Sequence, residues 1–368
     1  MTEQLTINFN GVPAYDITYN TSFENLGSFL SGFNADDKKC LIVADSKVAS
    51  LYLDAILRVM EPCCKYVTAF VFPEGEKSKN LDVVREIYKK LIEEKFDRHD
   101  FIAALGGGVT GDMSGFTAAT FLRGIDFIQI PTSLLADVDS SIGGKTGVDF
   151  DAYKNMVGAF HMPKLVYINR ETISTLDREQ FYSGMGEVVK SALLADGEFF
   201  DWLEDNSGNI NALDMEYVAE MIYKCNIIKK NVVEKDPTEK GERALLNLGH
   251  TLGHALEKYM NFKMLHGQCV SAGCVMAAYL SLKKGLIDEE SLGRIIKLFG
   301  KFGLPSVPVD IDVDEIAAYT KNDKKAIGKS IKFILLRRIG EAFITLDVSD
   351  DDMRDALRYY IDNQTKWI

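Results

Sequence analysis

The sequence predicts an α/β N-terminal domain with a mainly parallel sheet, followed by an all-α C-terminal domain. Up to residue 175, short apolar runs alternate with stretches of helical periodicity. From residue 176 onward, helical patterns follow one another with few strand candidates. The length of 368 residues fits two domains of roughly 150 residues or more each. We therefore place the two domains at 1–175 and 176–368.

The elements of the first domain are apolar strand runs that alternate with amphipathic helices. The predicted strands lie at 38–45, 66–73, 100–108 (strand, then turn), 125–133 and 164–170, and the predicted helices at 48–60 and 80–95. Such alternation indicates βαβ units and a parallel sheet. Parallel sheets bind ligands beyond the carboxyl ends of their strands, so we expect a ligand site there.

The second domain is predicted from five successive helical patterns. They lie at 187–206, 215–234, 244–260, 267–285 and 289–303. One late run, 329–348, has the pattern of a hairpin.

Composition excludes several classes of protein. The 42 Lys and Arg against 54 Asp and Glu leave a net charge of −12, which argues against a nucleic-acid partner. The hydrophobic content of 46% is too high for a disordered chain. The first twenty residues lack a signal-peptide pattern, and no apolar run approaches the ~20 residues of a membrane span. The six cysteines form no CxxC pair and are expected to be buried thiols of a soluble, cytoplasmic protein.

A glycine-rich turn follows the predicted strand at 100–108. Gly106, Gly108 and Gly111 fit G-x-G-x-x-G, in which glycines let the backbone approach a pyrophosphate at a helix N-terminus. Alone, the pattern is about as often a tight βα turn. A Rossmann site also needs a carboxylate after the next strand, and Asp126 lies at that strand's start instead. Asp45, which ends an earlier strand, is the better candidate for a ribose.

A dense polar loop is predicted at 137–155. Its SSIGGKTG segment is superficially similar to a P-loop, but Asp139 stands where the first glycine belongs, so we reject ATP binding. The loop carries Lys145, Lys154 and Asn155, and such lysines can bind phosphate oxygens. The alternative interpretation is a solvated loop without function.

Histidine gives the sharpest compositional signal. Three of the five histidines, His250, His254 and His266, fall within seventeen residues. His250 and His254 are four residues apart in a helical pattern, so spacing favours them as a metal pair completed by a distant carboxylate. Glu187, with Lys190 one turn further on, is a candidate carboxylate. Core or helix-capping histidines and a surface Glu–Lys pair are the alternatives.

Two arginines complete a basic set. Arg123 interrupts an apolar stretch, and Arg243 lies seven residues before His250. Each alone is more often structural. Together with the lysines at 145, 154 and 190 they would suit a small polyanionic substrate.

Seven motifs in order closely resemble the 3-dehydroquinate synthase family. They are PEGEKSK, ALGGGVTGDMSGFTAATFLRG, IPTSLLADVDSSIGGKTGVDF, KNMVGAFHMP, GMGEVVKSALLAD, KGERALLNLGHTLGHALE and LHGQCVSAGC. The resemblance extends from about residue 45 to residue 325. It implies an N-terminal NAD-binding domain, a C-terminal helical domain that binds metal and substrate, an active site in the cleft and a homodimer.

The resemblance also implies the reaction. Family members bind NAD and one divalent metal, zinc or cobalt, and convert 3-deoxy-D-arabino-heptulosonate 7-phosphate to 3-dehydroquinate and phosphate. The steps are transient oxidation by NAD, phosphate elimination, reduction and an intramolecular aldol closure. The product belongs to the shikimate pathway of aromatic amino acid biosynthesis.

Residue roles carry over position by position. The implied metal ligands are Glu187, His250 and His266, which overrules the choice of His254 from spacing. The implied catalytic residues are Lys145, His254, Asn155 and Lys190. The implied substrate-binding residues are Arg123, Lys145, Lys154, Asn155, Lys190, Lys229, Arg243, Asn247, His254, His266, Lys324 and Lys325. The implied NAD-binding residues are Asp45, Glu74, Gly75, Glu76, Lys77, Ser78, Lys79, Gly107, Gly108, Val109, Thr110, Gly111, Asp112, Thr132, Ser133, Asp139, Lys145, Lys154, Thr172, Ile173, Ser174 and Thr175.

Three positions depart from the family pattern, and three rival functions remain open. Asp137 stands where Gln is common, Asp236–Pro237 where an Asp–Glu pair is common, and Gln268 where Glu is common. Pro237 is expected to alter a loop that carries Lys229. The rivals are another sugar-phosphate cyclase (2-deoxy-scyllo-inosose or 2-epi-5-epi-valiolone synthase type), a metal-dependent polyol dehydrogenase, and a non-enzymatic sugar-phosphate sensor.

Overall fold

A computed structural model describes residues 4–151, 153–261, 263–304, 311–320, 326–327 and 330–363. The chain forms two compact units, Met1–Leu176 and Asp177–Ile368. None of the helices in the described residues is long and apolar enough to cross a membrane. All six cysteines lie within the described residues and are thiols, not disulfides.

The first unit is built around a seven-stranded sheet. The strands of the whole unit are β1 (Gln4–Phe9), β2 (Val12–Asn20), β3 (Lys39–Asp45), β4 (Tyr66–Phe72), β5 (Phe101–Gly106), β6 (Asp126–Pro131), β7 (Lys145–Phe150), β8 (Tyr153–Phe160) and β9 (Leu165–Asn169), and all but β7 and β8 belong to this sheet. The sheet order is β1-β2-β9-β6-β5-β3-β4, and β7 pairs with β8 in a separate antiparallel hairpin. Only the edge pair β1–β2 is antiparallel within the sheet, so the prediction of a mainly parallel sheet is confirmed.

Helices cover both faces of this sheet. They are α1 (Leu26–Ser31), α2 (Ser46–Met60), α3 (Leu81–Glu93) and α4 (Gly108–Thr120). Alternate residues of β3 serve the two faces: Cys40 and Ile42 pack in the core with α1 and α2, whereas Leu41 and Val43 pack in the core with α3 and α4. A strand buried on both faces is apolar along its whole length, and for that reason the run at 38–45 lacks polar alternation.

Two parts of this unit were not predicted from the sequence. The N-terminal hairpin of β1 and β2 was not predicted, although the alternation of polar and apolar residues in β1 is typical of a half-buried strand. The predicted loop at 137–155 is wrong: it consists of a π-helical turn, Ala136–Ser140, followed by β7 and the start of β8. A two-stranded hairpin keeps many residues partly exposed, so its strands resemble a polar loop in sequence.

The second unit is mostly helical. Its helices are α5 (Arg178–Ala195), α6 (Gly197–Asn211), α7 (Met215–Lys235), α8 (His250–Tyr259), α9 (His266–Lys283), α10 (Glu289–Lys301), α11 (Val313–Tyr319) and α12 (Asp350–Asn363). Its strands are β10 (Ala326–Ile327), β11 (Ser330–Ile331), β12 (Phe333–Arg338) and β13 (Glu341–Thr345). The predicted late hairpin is therefore confirmed as β12–β13, and the unit is not entirely α-helical.

Helix α9 lies at the centre of this unit. Most of its residues are buried, and it packs against α5, α8, α10 and α12. A helix that is apolar all round is typical of a core position. The central position of α9 places its first residue, His266, among the neighbouring helices.

Candidate functional site

Four side chains of the second unit, one from the middle of a helix and three from the first turns of two others, converge at one place. Glu187 lies in α5, His250 and His254 lie in the first two turns of α8, and His266 begins α9. The three histidines offer ring nitrogens that all lie within 4.8 Å of one another. The three histidines that are close in sequence are thus also close in the structure.

Glu187 faces two of these histidines. Its Oε1 lies 3.3 Å from His266 Nε2 and 3.9 Å from His250 Nε2. The carboxylate is 1% exposed and its other oxygen pairs with the Lys190 ammonium, which is equally buried. A buried carboxylate is stable only with such charge compensation, so Lys190 holds Glu187 ionised within the cluster.

The second ring nitrogen of each of these two histidines is also held. His250 Nδ1 lies 3.1 Å from the backbone oxygen of Leu248. A carbonyl oxygen only accepts, so Nδ1 carries the proton and Nε2 presents its lone pair. His266 Nδ1 lies 3.7 Å from Glu257 Oε2, so the proton on Nδ1 points to that carboxylate and stays there when Nε2 releases its own proton. Both Nε2 atoms therefore face Glu187, in the orientation in which they could bind a metal beside it.

The electrostatics of His266 reflect two carboxylates. Burial alone would lower the pKa of His266, but the nearby carboxylates of Glu187 and Glu257 raise it to about 10. The two carboxylates thus stabilise a proton on the His266 ring, and they would stabilise a divalent metal ion at the same place. Metal ligation by His requires the neutral ring, so a metal that binds here displaces this proton.

Missing side chains let the three helices approach closely. A Cβ on Gly267, next to His266, would overlap the backbone oxygen of Ser183 on α5. A Cβ on Gly249, next to His250, would lie 2.7 Å from the backbone nitrogen of Cys274 on α9. Gly267 also donates its N–H to Ser183 Oγ, at 3.1 Å. Close backbone packing therefore brings Glu187, His250 and His266 together.

Two ligand sets fit this geometry. Three histidines form one set, and Glu187 with His250 and His266 forms the other. The second set has its two Nε2 atoms directed at one carboxylate oxygen and both Nδ1 atoms held from behind. A carboxylate with two imidazoles is also a common donor set for zinc. These contacts favour the set implied by the resemblance over the pair chosen from spacing.

In the first unit, the residues expected to bind NAD lie at the carboxyl ends of parallel strands. Asp45 ends β3, 74–79 follows β4, 107–112 follows β5, 132–133 follows β6, and 172–175 follows β9. The glycine-rich turn joins β5 to α4, and Thr132 donates its N–H to the Gly106 oxygen at 3.1 Å. Open α/β sheets bind ligands at this edge.

Asp45 has a structural role that the sequence did not reveal. Its Oδ1 accepts the N–H groups of Lys47 and Val48 at 3.0 and 2.9 Å, and thereby caps the N-terminus of α2. An N-cap aspartate satisfies amides that have no partner within the helix. If Asp45 binds a ribose, its side chain must do so while Oδ1 also caps α2.

Lys79 is the centre of a charged network. Its ammonium lies 2.6 Å from Asp112 Oδ2 and 2.6 Å from Asn155 Oδ1. It is 5% exposed, and although burial lowers the pKa of Lys79, Asp112 and Glu76 outweigh that effect and raise it. The network connects the loop after β4, helix α4 and the β7–β8 hairpin.

The hairpin carries further groups of the predicted site. Lys154 pairs with Glu76 at 3.3 Å, and the backbone N–H of Asn155 donates to Asp149 at 2.8 Å. Lys145 is exposed at the start of β7, and Asp139 is half-buried in the preceding π-helical turn. The two lysines that were expected to bind phosphate thus lie on a hairpin rather than on a loop.

The remaining predicted residues have mixed surroundings. Arg123 is exposed in the turn after α4. Lys229 and Arg243 are buried, and Asn247 donates its amide to Glu239 Oε1 at 2.8 Å. Lys324 and Lys325 lie outside the described residues.

The three departures from the family pattern have local explanations. Asp236 accepts backbone N–H groups of Lys240, Gly241 and Arg243, and the Pro237 oxygen accepts from the Arg243 guanidinium at 2.5 Å. The expectation that Lys229 lies on an altered loop is wrong, because Lys229 lies within α7. Gln268 caps α9 through Leu265, and Asp137 is fully buried.

Sequence reasoning missed three carboxylates that contact predicted residues. They are Asp149, Glu239 and Glu257. Glu257 follows His250 by seven residues, two helical turns, and such spacing places both on one helix face. That spacing is the signal that could have found it.

A family model described as 3-dehydroquinate synthase N-terminal matches residues 69–183, and one described as C-terminal matches residues 184–326. The 3-dehydroquinate synthase of Acetivibrio thermocellus is 45% identical over 342 residues, 92% of this chain and 94% of that protein. The 3-dehydroquinate synthase of Shewanella piezotolerans is 42% identical over 359 residues, 97% of this chain and 99% of that protein.

The fold resembles that of a solved cyclase. The 2-epi-5-epi-valiolone synthase from Streptomyces hygroscopicus subsp. jinggangensis, with NAD⁺ and Zn²⁺ bound, superposes with a TM-score of 0.87. It is 26% identical, and the match covers 95% of this chain and 97% of that one. The protein is thus an enzyme of this structural class, and the predicted fold class is confirmed. The chain belongs to the 3-dehydroquinate synthase family, which confirms the resemblance found in its motifs.

Proposed function

We propose that the chain converts 3-deoxy-D-arabino-heptulosonate 7-phosphate to 3-dehydroquinate and phosphate, with NAD and one zinc or cobalt ion. The observation that carries the proposal is the buried cluster of Glu187, His250 and His266 in a chain 45% identical to a 3-dehydroquinate synthase. NAD supplies reversible hydride acceptance, and a divalent metal supplies a Lewis acid for hydroxyl groups.

The metal ligands that we propose are Glu187, His250 and His266. The donors fit a divalent ion because two Nε2 atoms and one carboxylate oxygen face one another within 3.3–3.9 Å. Lys190 keeps Glu187 ionised through its buried ion pair. His254, whose ring centroid lies 5.0 Å from that of His250, is proposed to contact substrate and to exchange a proton with it.

The NAD-binding residues that we propose are the strand-end segments of the first unit. The Gly106–Gly111 turn leads from β5 into the N-terminus of α4, and the first backbone N–H groups of a helix suit a pyrophosphate. The segment 74–79, Asp112 and the 172–175 turn would hold the rest of the cofactor. Accordingly, 1–175 is proposed as the NAD domain and 176–368 as the metal and substrate domain.

The substrate carries a carboxylate and a phosphate, so cations must bind it. We assign this role to Arg123, Lys145, Lys154, Lys190, Lys229 and Arg243, with Asn155 and Asn247 as hydrogen-bonding partners and Lys324–Lys325 as further cations. These groups neutralise the anion locally in a protein of net charge −12. Lys145, Asn155, Lys190 and His254 are proposed to act on the reacting atoms.

Assembly and location are part of the same proposal. The chain is proposed to act as a cytoplasmic homodimer, without nucleic-acid or membrane partners. The net charge of −12 supports the lack of a nucleic-acid partner. Size-exclusion chromatography with light scattering would test the dimer.

One experiment distinguishes this reaction from the rivals. Purified protein is incubated with the heptulosonate phosphate, trace NAD and zinc or cobalt, and the carbon product is identified by mass spectrometry and NMR. We expect many turnovers per NAD, phosphate release in proportion to substrate, and no matching growth of NADH absorbance. Mole-for-mole NADH with the phosphate still esterified would instead identify a polyol dehydrogenase. Turnover of a different sugar phosphate to another carbocycle would identify a related cyclase, and binding without turnover would identify a sensor.

A further inference from the structure

Glu257 is a buried carboxylate that the proposed reaction does not use. It lies in α8 and is 1% exposed. An ionised carboxylate at this depth is unfavourable unless it faces a cation or a hydrogen-bond donor. Its Oε2 lies 3.7 Å from His266 Nδ1, on the opposite side of the ring from Glu187.

The two proposed histidine ligands are held differently from behind. His250 Nδ1 faces a neutral backbone oxygen, that of Leu248, at 3.1 Å. His266 Nδ1 faces the anionic Glu257 instead. An anionic acceptor orients the ring and makes its other nitrogen a stronger electron-pair donor than a neutral acceptor does.

His266 needs such an external restraint more than His250 does. It is the first residue of α9, and its side chain is 30% exposed, against 11% for His250. Packing therefore restricts the His266 ring less. A buried carboxylate on the neighbouring helix can supply the orientation that packing does not.

We propose that Glu257 is a positioning residue that fixes the Nδ1–H tautomer and the ring orientation of His266 and thereby strengthens metal binding. This inference rests on the proposed metal site of Glu187, His250 and His266. It predicts that the charge and the acceptor of Glu257 both contribute to metal affinity, although Glu257 does not itself contact the metal.

The test measures metal binding by the whole chain, without turnover. Metal-free protein is titrated with Co²⁺, whose visible absorption reports its coordination, and with Zn²⁺ against a chromophoric chelator. Glu257→Gln keeps the size and an acceptor but removes the charge, and Glu257→Met removes both. We expect the Kd for metal to rise about tenfold for Gln and toward 100-fold for Met, with altered Co²⁺ bands in both.

Controls separate this role from a structural one. Thr251→Val alters another buried polar residue of α8 and should leave the metal Kd and the Co²⁺ spectrum unchanged. Thermal unfolding of the metal-free variants shows whether they fold. If Glu257→Met does not fold, the Gln variant decides: a Kd within about twofold of wild type with an unchanged spectrum overturns the proposal.

A further variant distinguishes failure of this inference from failure of the proposed function. His266→Ala should abolish stoichiometric metal binding. If it binds metal as tightly as wild type, the proposed metal site is wrong and the role of Glu257 is overturned with it. If His266→Ala loses the metal and Glu257→Gln does not weaken binding, only the role of Glu257 is overturned.

Discussion

The cluster around Glu187 and the loops around Lys79 hold charged groups in different ways. In the cluster, Glu187 and Lys190 are almost completely buried and lie on one helix, and the adjacent helices α8 and α9 bring in the histidines. Around Lys79, residues from one loop, a helix and a hairpin hold one another through ion pairs and hydrogen bonds. Backbone packing positions the first set, and electrostatic attraction positions the second.

This difference indicates how each region responds to change. Close backbone contact tolerates no added volume, because protein interiors are packed as densely as crystals. Pairs between partly exposed charges, such as Lys154 and Glu76 at the edge of the Lys79 network, are weakened by salt and can exchange partners. The helical cluster therefore suits a fixed set of metal ligands, whereas the strand-end loops suit a cofactor and an anionic substrate that enter and leave.

The largest expected effect follows removal of a metal ligand. Glu187→Ala, His250→Ala and His266→Ala should each abolish turnover and weaken metal binding by more than the ~10–100-fold typical of residues behind the ligands. His254→Ala should retain the metal and lose turnover. Elemental analysis of the purified variants checks this. A metal-free His254 variant beside a metal-loaded His266 variant would show that the proposed ligand assignment is wrong. A metal-free His254 variant beside a metal-loaded Glu187 variant would favour the three-histidine set.

A buried glycine tests whether backbone packing positions the cluster. Gly267→Ala places a methyl group against the Ser183 backbone and should separate α5 from α9. We expect a loss of unfolding free energy of about 1–3 kcal/mol together with weaker metal binding. Chemical denaturation and metal titration measure the two effects.

The matched control lies in another helix of the same unit. In α10, a Cβ on Gly293 would meet nothing within 4 Å. Gly293→Ala should raise stability by roughly 0.5–1 kcal/mol through helix propensity and leave metal affinity unchanged. Equal behaviour of the two variants would refute the role of close packing.

Each basic residue of the first unit should contribute less to substrate binding than a metal ligand contributes to metal binding. Loss of Arg123, Lys145 or Lys154 should weaken a non-eliminating phosphonate analogue of the substrate by about 1.5–3 kcal/mol per charged hydrogen bond. Calorimetry at two salt concentrations measures the affinities. Lys89→Ala, on the exposed face of α3, is the control. Unchanged affinity in all three single variants would place the phosphate elsewhere.

The sequence predicted the elements of the sheet and most helices because buried strands and amphipathic helices have distinct periodicities. It also predicted that His250, His254 and His266 are close. It did not distinguish the ligand sets by spacing, since Glu187 lies more than sixty residues earlier and only packing through Gly267 and Gly249 brings it in. The capping role of Asp45 and the contact of Glu257 likewise depend on tertiary structure.

The smallest expected effect concerns Asp137, which belongs to neither region's charge network. Its carboxylate is fully buried in the π-helical turn, and neither oxygen has a hydrogen-bond partner among the described residues. Burial raises the pKa of Asp137 well above its ordinary value. Because the folded-state pKa exceeds the unfolded one, its contribution to stability is greatest below the unfolded pKa and is lost as the pH rises through the folded one.

Asp137→Asn removes this titration while keeping the shape of the side chain. The difference in unfolding free energy between variant and wild type should therefore be small near pH 4 and grow in favour of the variant as the pH rises toward 8. Thermal denaturation across that range measures it, with Asp205→Asn on the exposed side of α6 as the control for loss of one negative charge. A difference independent of pH would show that the Asp137 carboxyl is stabilised in its ionised form, and the turn after β6 would then belong with the ion-paired loops rather than with the sheet core.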